Sequence, residues 1–464
     1  MATAFLLLSL LASSTVEANR TASAALDRLI EHRGKPLAPL SFHARGRVRQ
    51  LFQSPQPGEP YMETTLDRWI AADPDAGLFL REETSVWPNF TSKTTVRLDG
   101  GELLTLRHAS RTYQVSASGE STRTGIVRLH PDLLLDAASR RRATLRAAGP
   151  KAFLFVAGDG TVITVQIRDD RIRSAEWLTY DQLLGDIANR IDYQWERDEP
   201  AGFRYFENDR LVYQAKYENV ARGSSVTVPS REVPADYTTT PAVTRAPVSL
   251  EELGRGVFLV RNAGGPDYHS LVVAFEKDFV VIEAPRSAAH AREAIAAIRA
   301  HDPSRPIRAV VVTHHHDDHI GGIRAYAEAG VEIITTSGNV EFLRGILEAP
   351  HTLERVTAVK PAIVAVSSGH RFADAANELV LLDAGPGKHA REMLVAWLPQ
   401  QKIMFQGDVF RFDPGNPEPA RDDAVAFAEF IASRSLDVKV IAGVHGEPAT
   451  PAELAAAIER RPRS

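Results

Sequence analysis

A run of four histidines and two aspartates, His-His-His-Asp-Asp-His, directly follows an apolar, β-branched stretch at Ile307–Val312. Neutral imidazole and carboxylate are the ligands that a borderline-soft divalent ion such as zinc selects. The metal-competent side chains of the run are those of His314, His316, Asp318 and His319. Four such groups cannot all reach the inner shell of one ion from so short a loop. The run therefore predicts two adjacent metal ions at the end of a strand.

The plain alternative is a solvated, histidine-rich surface turn. Gly321 and Gly322 argue against it, because a glycine pair lets the next helix begin directly against the loop. The chain contains no cysteine, which excludes thiolate ligands, disulfides and cysteine nucleophiles. Every metal ligand must therefore be His, Asp or Glu.

The motif H-x-H-x-D-H followed by Gly-Gly resembles the signature of the metallo-β-lactamase fold superfamily. The remaining parts of that pattern occur downstream in the expected order. His389 follows a glycine-rich turn, Asp408 closes a strand after a glycine, and His445 ends a later strand. The resemblance covers roughly residues 250–460 and implies a four-layer αββα sandwich with metal ions at one edge of its two sheets.

The resemblance implies a ligand role for each of these side chains. The first metal would be held by His314, His316 and His389, the second by Asp318, His319 and His445, and Asp408 would bridge them. The implied cofactor is a pair of Zn²⁺ ions, with iron or manganese as alternatives. The pair would share a bridging hydroxide at neutral pH and thereby support hydrolysis. Asp318 would also orient this nucleophile, which makes it the candidate catalytic residue.

Two further positions lie close to the metal ligands in the sequence pattern. Glu283 stands where the family normally has an aspartate that ends a strand near the metals. Its carboxylate is expected either to hold the ring of a ligand histidine from outside the metal shell or to cap the next helix. His315 lies between two candidate ligands and is expected to be exposed.

The ligand types bear on the class of substrate. The absence of cysteine excludes lactamases of this fold that use a cysteine ligand, and Asp408 in that place resembles the glyoxalase II, lactonase and phosphodiesterase branches. An ester-like small molecule, such as a lactone or thioester, is therefore expected. A net charge of −5 gives no reason to expect nucleic acid. The alternatives are an iron-dependent redox enzyme of the same fold and a lipid-binding protein with a vestigial hydrolase domain.

The 464 residues are expected to form two domains. Strands and helices alternate over residues 249–464, which form the metal-binding domain. Residues 19–222 predict a mainly antiparallel β domain, because a helix at residues 21–34 is followed by apolar and polar side chains that alternate between turn signals from about residue 40 to 220. Residues 223–248 are rich in turn formers and predict a linker.

The N-terminal domain is predicted to collect aromatic side chains on one face of its sheet. The expected members are Trp69, Phe79, Phe155, Trp177 and Tyr213. The rhythm of this region resembles outer-membrane lipoprotein carrier domains, which implies a lipid or acyl ligand in addition to the small-molecule substrate of the other domain. The oligomeric state is not predicted.

Residues 1–18 read as a signal peptide, because an apolar core too short to span a bilayer precedes a small-residue cleavage site. A periplasmic or secreted protein is expected, with a cytoplasmic location as the alternative.

Overall fold

The computed structural model describes residues 15–88, 90–229, 232–240, 246–354 and 359–462. They form two compact units. The C-terminal unit contains the chain from Val243 onward and also takes in Gln50–Met62 and Tyr180–Asp186, and the N-terminal unit contains the rest. The change of unit falls within the predicted linker. Most of the predicted signal peptide, residues 1–14, lies outside the described residues.

The N-terminal unit contains three helices and a sheet of fourteen strands. The helices are α1 (Thr15–Arg33), α2 (Glu120–Val127) and α3 (Pro131–Arg140). The strands are β1 (Leu40–Gln50), β2 (Met62–Asp73), β3 (Leu78–Val86), β4 (Thr91–Asp99), β5 (Glu102–Arg107), β6 (Thr112–Ser116), β7 (Arg146–Ala147), β8 (Ala152–Val156), β9 (Val162–Arg168), β10 (Arg171–Asp181), β11 (Gly185–Glu196), β12 (Glu199–Glu207), β13 (Arg210–Arg222) and β14 (Thr238–Thr239).

The sheet of this unit is two antiparallel meanders, β1–β6 and β7–β13, joined by pairing of β1 with β13. The short β14 adds to β6 in parallel. Tight turns separate most strands. Successive side chains point to opposite faces of the sheet, so a sheet with one solvated face has alternating apolar and polar residues. The predicted mainly antiparallel β domain is confirmed.

The three helices pack on one face of this sheet. Leu26 of α1 and Leu133 of α3 join Phe42 and Phe203 of the sheet in one buried cluster. Phe79, Phe155, Trp177 and Tyr213 lie in the same cluster, as predicted. These aromatic side chains therefore form the core under the helices.

Trp69 was also predicted for the core face and is not there. Leu66 and Ile70 of β2 point into the core, so Trp69 at an odd-numbered position between them points to the other face. There it lies parallel to the ring of His43 at 6.4 Å.

The C-terminal unit contains two sheets. The strands of the seven-stranded sheet are β15 (Ser249–Gly254), β16 (Val257–Arg261), β17 (Ser270–Ala274), β18 (Phe279–Ile282), β19 (Ile307–Val311), β20 (Glu332–Thr335) and β21 (Ile363–Ala365). Those of the five-stranded sheet are β22 (His370–Ala373), β23 (Glu378–Asp383), β24 (Leu394–Leu398), β25 (Ile403–Gln406) and β26 (Val440–Gly443). Both sheets are antiparallel at first and end in parallel pairs, β18 to β21 and β25 to β26.

Six helices complete this unit. They are α4 (Ala288–His301), α5 (Asp317–Ile320), α6 (Ile323–Glu328), α7 (Val340–Leu347), α8 (Asp422–Ser433) and α9 (Pro451–Glu459). Among the described residues, no helix is both long enough and apolar enough to cross a membrane.

Three separate apolar cores define the order of the layers. Ile298 of α4 packs on Val310 of the seven-stranded sheet. Val311, on the opposite face of the same strand, packs with Phe405 of the five-stranded sheet. Residues on the far face of that second sheet pack against Phe427 of α8 and Leu454 of α9. The unit is the predicted αββα sandwich, and its inner strands are buried on both faces because each lies between two layers.

Candidate metal centre

The candidate ligands all follow the carboxyl ends of strands. The motif beginning at His314 follows β19, His389 follows β23, Asp408 follows β25 and His445 follows β26. β25 and β26 are parallel neighbours, and β23 is separated from β25 by one antiparallel strand, so these three strands run in the same direction. Their ends therefore meet at one edge of the five-stranded sheet.

The structure brings the seven predicted ligands together in two groups. The first group is His314, His316, His389 and Asp408, and the second is Asp318, His319, Asp408 and His445. Within each group, one ligand atom from every member lies within 4.8 Å of the others. Asp408 belongs to both groups, so the two candidate sites share one carboxylate.

In the first group, Nε2 of His389 lies 3.2 Å from Nε2 of His314 and 3.0 Å from Oδ2 of Asp408. The ring of His316 completes the group, with its centroid 4.4 Å from that of His389. His314 and His316 are buried, whereas His389 and Asp408 are half-buried. The first group is therefore reached from the side of His389 and Asp408.

In the second group, Oδ1 of Asp408 lies 3.0 Å from Nε2 of His319 and 3.2 Å from Nε2 of His445. Oδ2 of Asp318 lies 3.6 Å from the same His445 nitrogen. The two oxygens of Asp408 thus face different groups, which is the arrangement that a carboxylate bridging two cations needs.

Two buried polar atoms beside this cluster have no hydrogen-bond partner. They are Nδ1 of His316 and Oδ1 of Asp318, whereas Nε2 of His319 and Oδ1 of Asp408 lie 3.0 Å from each other. A buried polar atom without a partner costs about 1–3 kcal/mol, so two of them at one place need an explanation. A bound cation would satisfy Nδ1 of His316, and the donor set of nitrogen and oxygen suits zinc. The residues present therefore fit a pair of metal ions.

The ring nitrogens that face away from the cluster are held by other groups. Nδ1 of His319 lies 3.0 Å from Oε2 of Glu283, and Nδ1 of His314 lies 3.0 Å from Oγ1 of Thr313. Such outer partners fix the ring orientation of metal-binding histidines. Two further rings are held by backbone carbonyls. Nδ1 of His445 lies 3.1 Å from the carbonyl oxygen of Asp267, and Nε2 of His316 lies 3.1 Å from that of Ser54.

Glu283 is fully buried beside the cluster. Besides its contact with His319, it accepts a hydrogen bond from the backbone N–H of Thr313 at 3.0 Å. The helix that follows is capped by Ser287, whose hydroxyl accepts from the backbone N–H of His290. Of the two roles expected for Glu283, helix capping is therefore wrong, and the carboxylate supports a ligand ring instead.

The electrostatics of the first group suit metal binding. Burial, followed by the neighbouring imidazoles of His319 and His316, holds the pKa of His314 well below its usual range. Burial raises the pKa of Asp408, but the charge and hydrogen bonding of nearby histidines, His319 first, outweigh it and hold that pKa well below its usual range. A neutral imidazole and an ionised carboxylate are the protonation states in which these groups bind metal.

The second group carries protons that a metal would displace. Burial lowers the pKa of His445, but the Asp318 and Asp408 carboxylates outweigh it and raise the pKa to about 9. Burial also opposes the charged form of His319, yet Asp408 and Glu283 hold its pKa well above its usual range. Metal uptake here must release protons, and it therefore weakens as the pH falls.

His315 is buried, contrary to the expectation that it is exposed. Its ring packs edge-to-face on Phe342, with centroids 5.7 Å apart, and lies 4.8 Å from the ring of His316. Burial lowers the pKa of His315 to about 4. The ring of His315 therefore packs against α7, and His315 belongs to neither group of candidate ligands.

The supporting roles of Gln406 and Gly407 can be recognised only in the folded structure. Gln406 is buried, and its side-chain carbonyl accepts from the backbone N–H of Val409 at 2.9 Å, which fixes the turn around Asp408. Gly407 precedes Asp408, and a Cβ atom there would lie 2.9 Å from Oγ1 of Thr313. The glycine before Asp408 was noticed in the sequence, but its packing against the other strand end requires the fold.

The comparisons with known proteins agree with this geometry. A profile of the metallo-beta-lactamase superfamily matches residues 263–445. The metallo-beta-lactamase type 2 of Bacillus cereus is 24% identical over 213 residues, which are 43% of this chain and 77% of that protein. The Pseudomonas aeruginosa enzyme of the same name is 24% identical over 212 residues, 43% of this chain and 78% of that protein.

Among solved structures, the metallo-beta-lactamase from Pontibacter korlensis is 21% identical. The match covers 46% of this chain and 100% of that one, with a TM-score of 0.36. The profile match spans all seven candidate ligands. Residues 263–445 therefore match the metallo-beta-lactamase superfamily, and the C-terminal unit has the metallo-beta-lactamase fold, preceded in the sequence by a β-rich unit.

Proposed function

We propose that this protein is a dinuclear zinc hydrolase that cleaves an ester-like small molecule, such as a lactone or a thioester. The observation that carries the proposal is the position of Asp408, whose two oxygens face two complete groups of ligand atoms. In a vestigial domain, we would expect some of these ligands to be replaced by other residues.

When bound, a pair of zinc ions supplies a nucleophile at neutral pH and polarises the substrate oxygen. The chain's own residues arrange what surrounds them. The buried side of the site is formed by His314, His316 and His319. Asp318 is partly exposed, and its Oδ1 lacks a hydrogen-bond partner. This oxygen can accept a hydrogen bond from the attacking water and hold its orientation toward the substrate.

The rim of the second group carries a cation. The ring of Tyr268 packs edge-to-face on His445, with centroids 4.6 Å apart, and the guanidinium of Arg286 lies 4.8 Å from the centre of the Tyr268 ring. Arg286 is exposed, and its backbone N–H donates to the carbonyl of Asp318 at 3.0 Å. We expect this charge to favour substrates that carry a carboxylate or another anionic group.

A hydrolysis screen of the zinc-loaded protein tests the proposal. It compares β-lactams, lactones, thioesters and phosphodiesters, each as a neutral and an anionic pair where available. β-Lactams are included because the relatives found are named for them. We expect turnover of a lactone or thioester, and loss of at least 100-fold in His316→Ala, since the change removes a ligand.

The matched control is His32→Ala, which removes an exposed histidine of α1 and should leave turnover unchanged. Full activity in His316→Ala would contradict the proposal. So would purification with iron together with oxygen uptake, which would favour the redox alternative.

A further inference from the structure

Residues 50–62 connect β1 to β2 in the sequence, yet they pack as part of the C-terminal unit. Phe52 packs edge-to-face on Phe342 of α7, with ring centroids 6.0 Å apart. The carbonyl of Pro55 accepts a hydrogen bond from the backbone N–H of Arg391 at 2.7 Å. The segment thus contacts two regions next to the first metal group. Phe342 also packs on His315 of the histidine motif, and Arg391 lies two positions after His389.

Between these two anchors lies Ser54, which is fully buried. Its carbonyl oxygen is 3.1 Å from Nε2 of His316, whereas Nδ1 of His316 has no hydrogen-bond partner. A neutral imidazole carries one N–H, and a carbonyl oxygen can only accept. The proton of His316 must therefore sit on Nε2, which leaves the lone pair of Nδ1 directed into the first group.

The side chain of Ser54 holds this carbonyl in place. Its hydroxyl accepts from the backbone N–H of Met62 at 2.7 Å and donates to the carbonyl of Gln50. These two residues are the ends of the segment. The buried hydroxyl of Ser54 thus links the two ends of the segment and fixes the position of the Ser54 carbonyl beside the His316 ring.

We propose that residues 50–62 are a positioning element of the first metal site, with Ser54 as the positioning residue that selects the Nε2–H tautomer of His316. The metal-binding part of this inference rests on the proposed function, but the tautomer does not. A segment far outside the superfamily domain in sequence would then complete the surroundings of one of its ligands.

The tautomer is measured directly by NMR on the full chain labelled with ¹⁵N-histidine, with His316→Ala used to assign the signal. We expect His316 to show a protonated Nε2 in the metal-free protein, and Nδ1 to shift when zinc is added. A protonated Nδ1 of His316 in the wild-type protein would overturn the proposal.

Metal affinity tests the positioning role. Zinc is titrated into Ser54→Ala and into the double variant Phe52→Ala/Ser54→Ala in competition with a chromophoric chelator, and folding is followed by circular dichroism. We expect one of two zinc equivalents to bind about tenfold or more weakly, because outer partners of ligand histidines typically contribute that much, and the other to bind as in the wild type. Gln53→Ala, an exposed change on the same segment, is the control and should alter neither.

Wild-type affinity for both equivalents in the folded double variant would show that the segment does not position His316. Failure of the wild-type protein to bind any zinc would instead contradict the proposed function, and the tautomer measurement would still decide the role of Ser54.

Discussion

At the scale of residues, four of the five candidate ligand rings use one nitrogen for support and present the other to the cluster. The supports differ in kind: a carboxylate for His319, a hydroxyl for His314, and backbone carbonyls for His316 and His445. The rings are therefore oriented by the fold before any metal arrives, which reduces what binding must organise.

The carboxylate support can be removed by Glu283→Ala. The change leaves two buried N–H groups, from His319 and Thr313, without an acceptor. We expect zinc to bind about 10- to 100-fold more weakly at the second site, and the free energy of unfolding of the domain to fall by about 1–3 kcal/mol. Chelator competition and denaturant unfolding measure the two effects.

Glu283→Asp is the matched variant, since it keeps the charge and restores the residue usual in the family. The backbone at this position has φ of +80°, a region that aspartate adopts more readily than most residues. We expect a smaller loss than in Glu283→Ala. Equal zinc affinity in the wild type and the alanine variant would refute the supporting role.

At the scale of elements, the site depends on strand ends that meet only because the sheets are ordered as they are. The strand before the histidine motif could be predicted from its apolar run at Ile307–Val312, which the structure shows as β19, and buried strands such as β18 and β24 are likewise continuous apolar runs. The motifs could be found, but the pairing of β25 with β26, which brings Asp408 beside His445, was available only through the family resemblance.

Close packing between strand ends is tested by Gly407→Ala. The added methyl would lie 2.9 Å from Oγ1 of Thr313 and 3.3 Å from the ring of His314, so the turn before Asp408 must shift. Because Asp408 serves both groups, we expect both zinc equivalents to bind more weakly, by about tenfold or more. Affinity is measured by chelator competition.

The control is Gly345→Ala, an exposed helical glycine whose added methyl would meet nothing within 4 Å. It should leave zinc affinity unchanged and raise stability by about 0.5–1 kcal/mol, since alanine favours helix. A Gly407→Ala protein that binds both zinc ions like the wild type would show that the turn tolerates the shift.

At the scale of the whole molecule, the sequence places residues 50–62 and 180–186 in the N-terminal domain, whereas the structure packs both segments with the C-terminal unit. Neither segment has a composition that marks it, because their partners, such as Phe342 for Phe52 and His351 for Tyr180, are far away in the chain. The spacing of apolar residues and the turn signals indicate local structure, and they carry no information about such distant contacts. Export and a lipid ligand of the N-terminal domain stay predictions.

The N-terminal unit should lose stability in mild acid through His130. Burial, reinforced by the positive charges of Arg222 and Arg33 and opposed by Asp132, lowers the pKa of His130 to about 3. Between that value and the ordinary pKa of about 6.5, the unfolded chain binds a proton that the folded one does not. Stability contributed by neutral His130 is complete above about pH 6.5 and declines by roughly 1.4 kcal/mol per unit as the pH falls.

Tryptophan fluorescence during urea unfolding measures this effect, because four of the five tryptophans, all but Trp397, lie in the N-terminal unit. The comparison is with His130→Asn, which cannot titrate and can still cap α3. We expect the difference in unfolding free energy between the two proteins to shift by that slope between pH 6.5 and 5. A difference that stays constant over this range would show that His130 is not held neutral by the fold.

The most direct test of the central claim is the zinc content of the purified full chain, counted by native mass spectrometry, for the wild type, His445→Ala and Asp408→Ala. We predict two ions in the wild type, one in His445→Ala, and none retained in Asp408→Ala after dialysis, since that carboxylate serves both groups. Two ions retained by Asp408→Ala, or fewer than two bound by the zinc-saturated wild type, would contradict a dinuclear centre built around this aspartate.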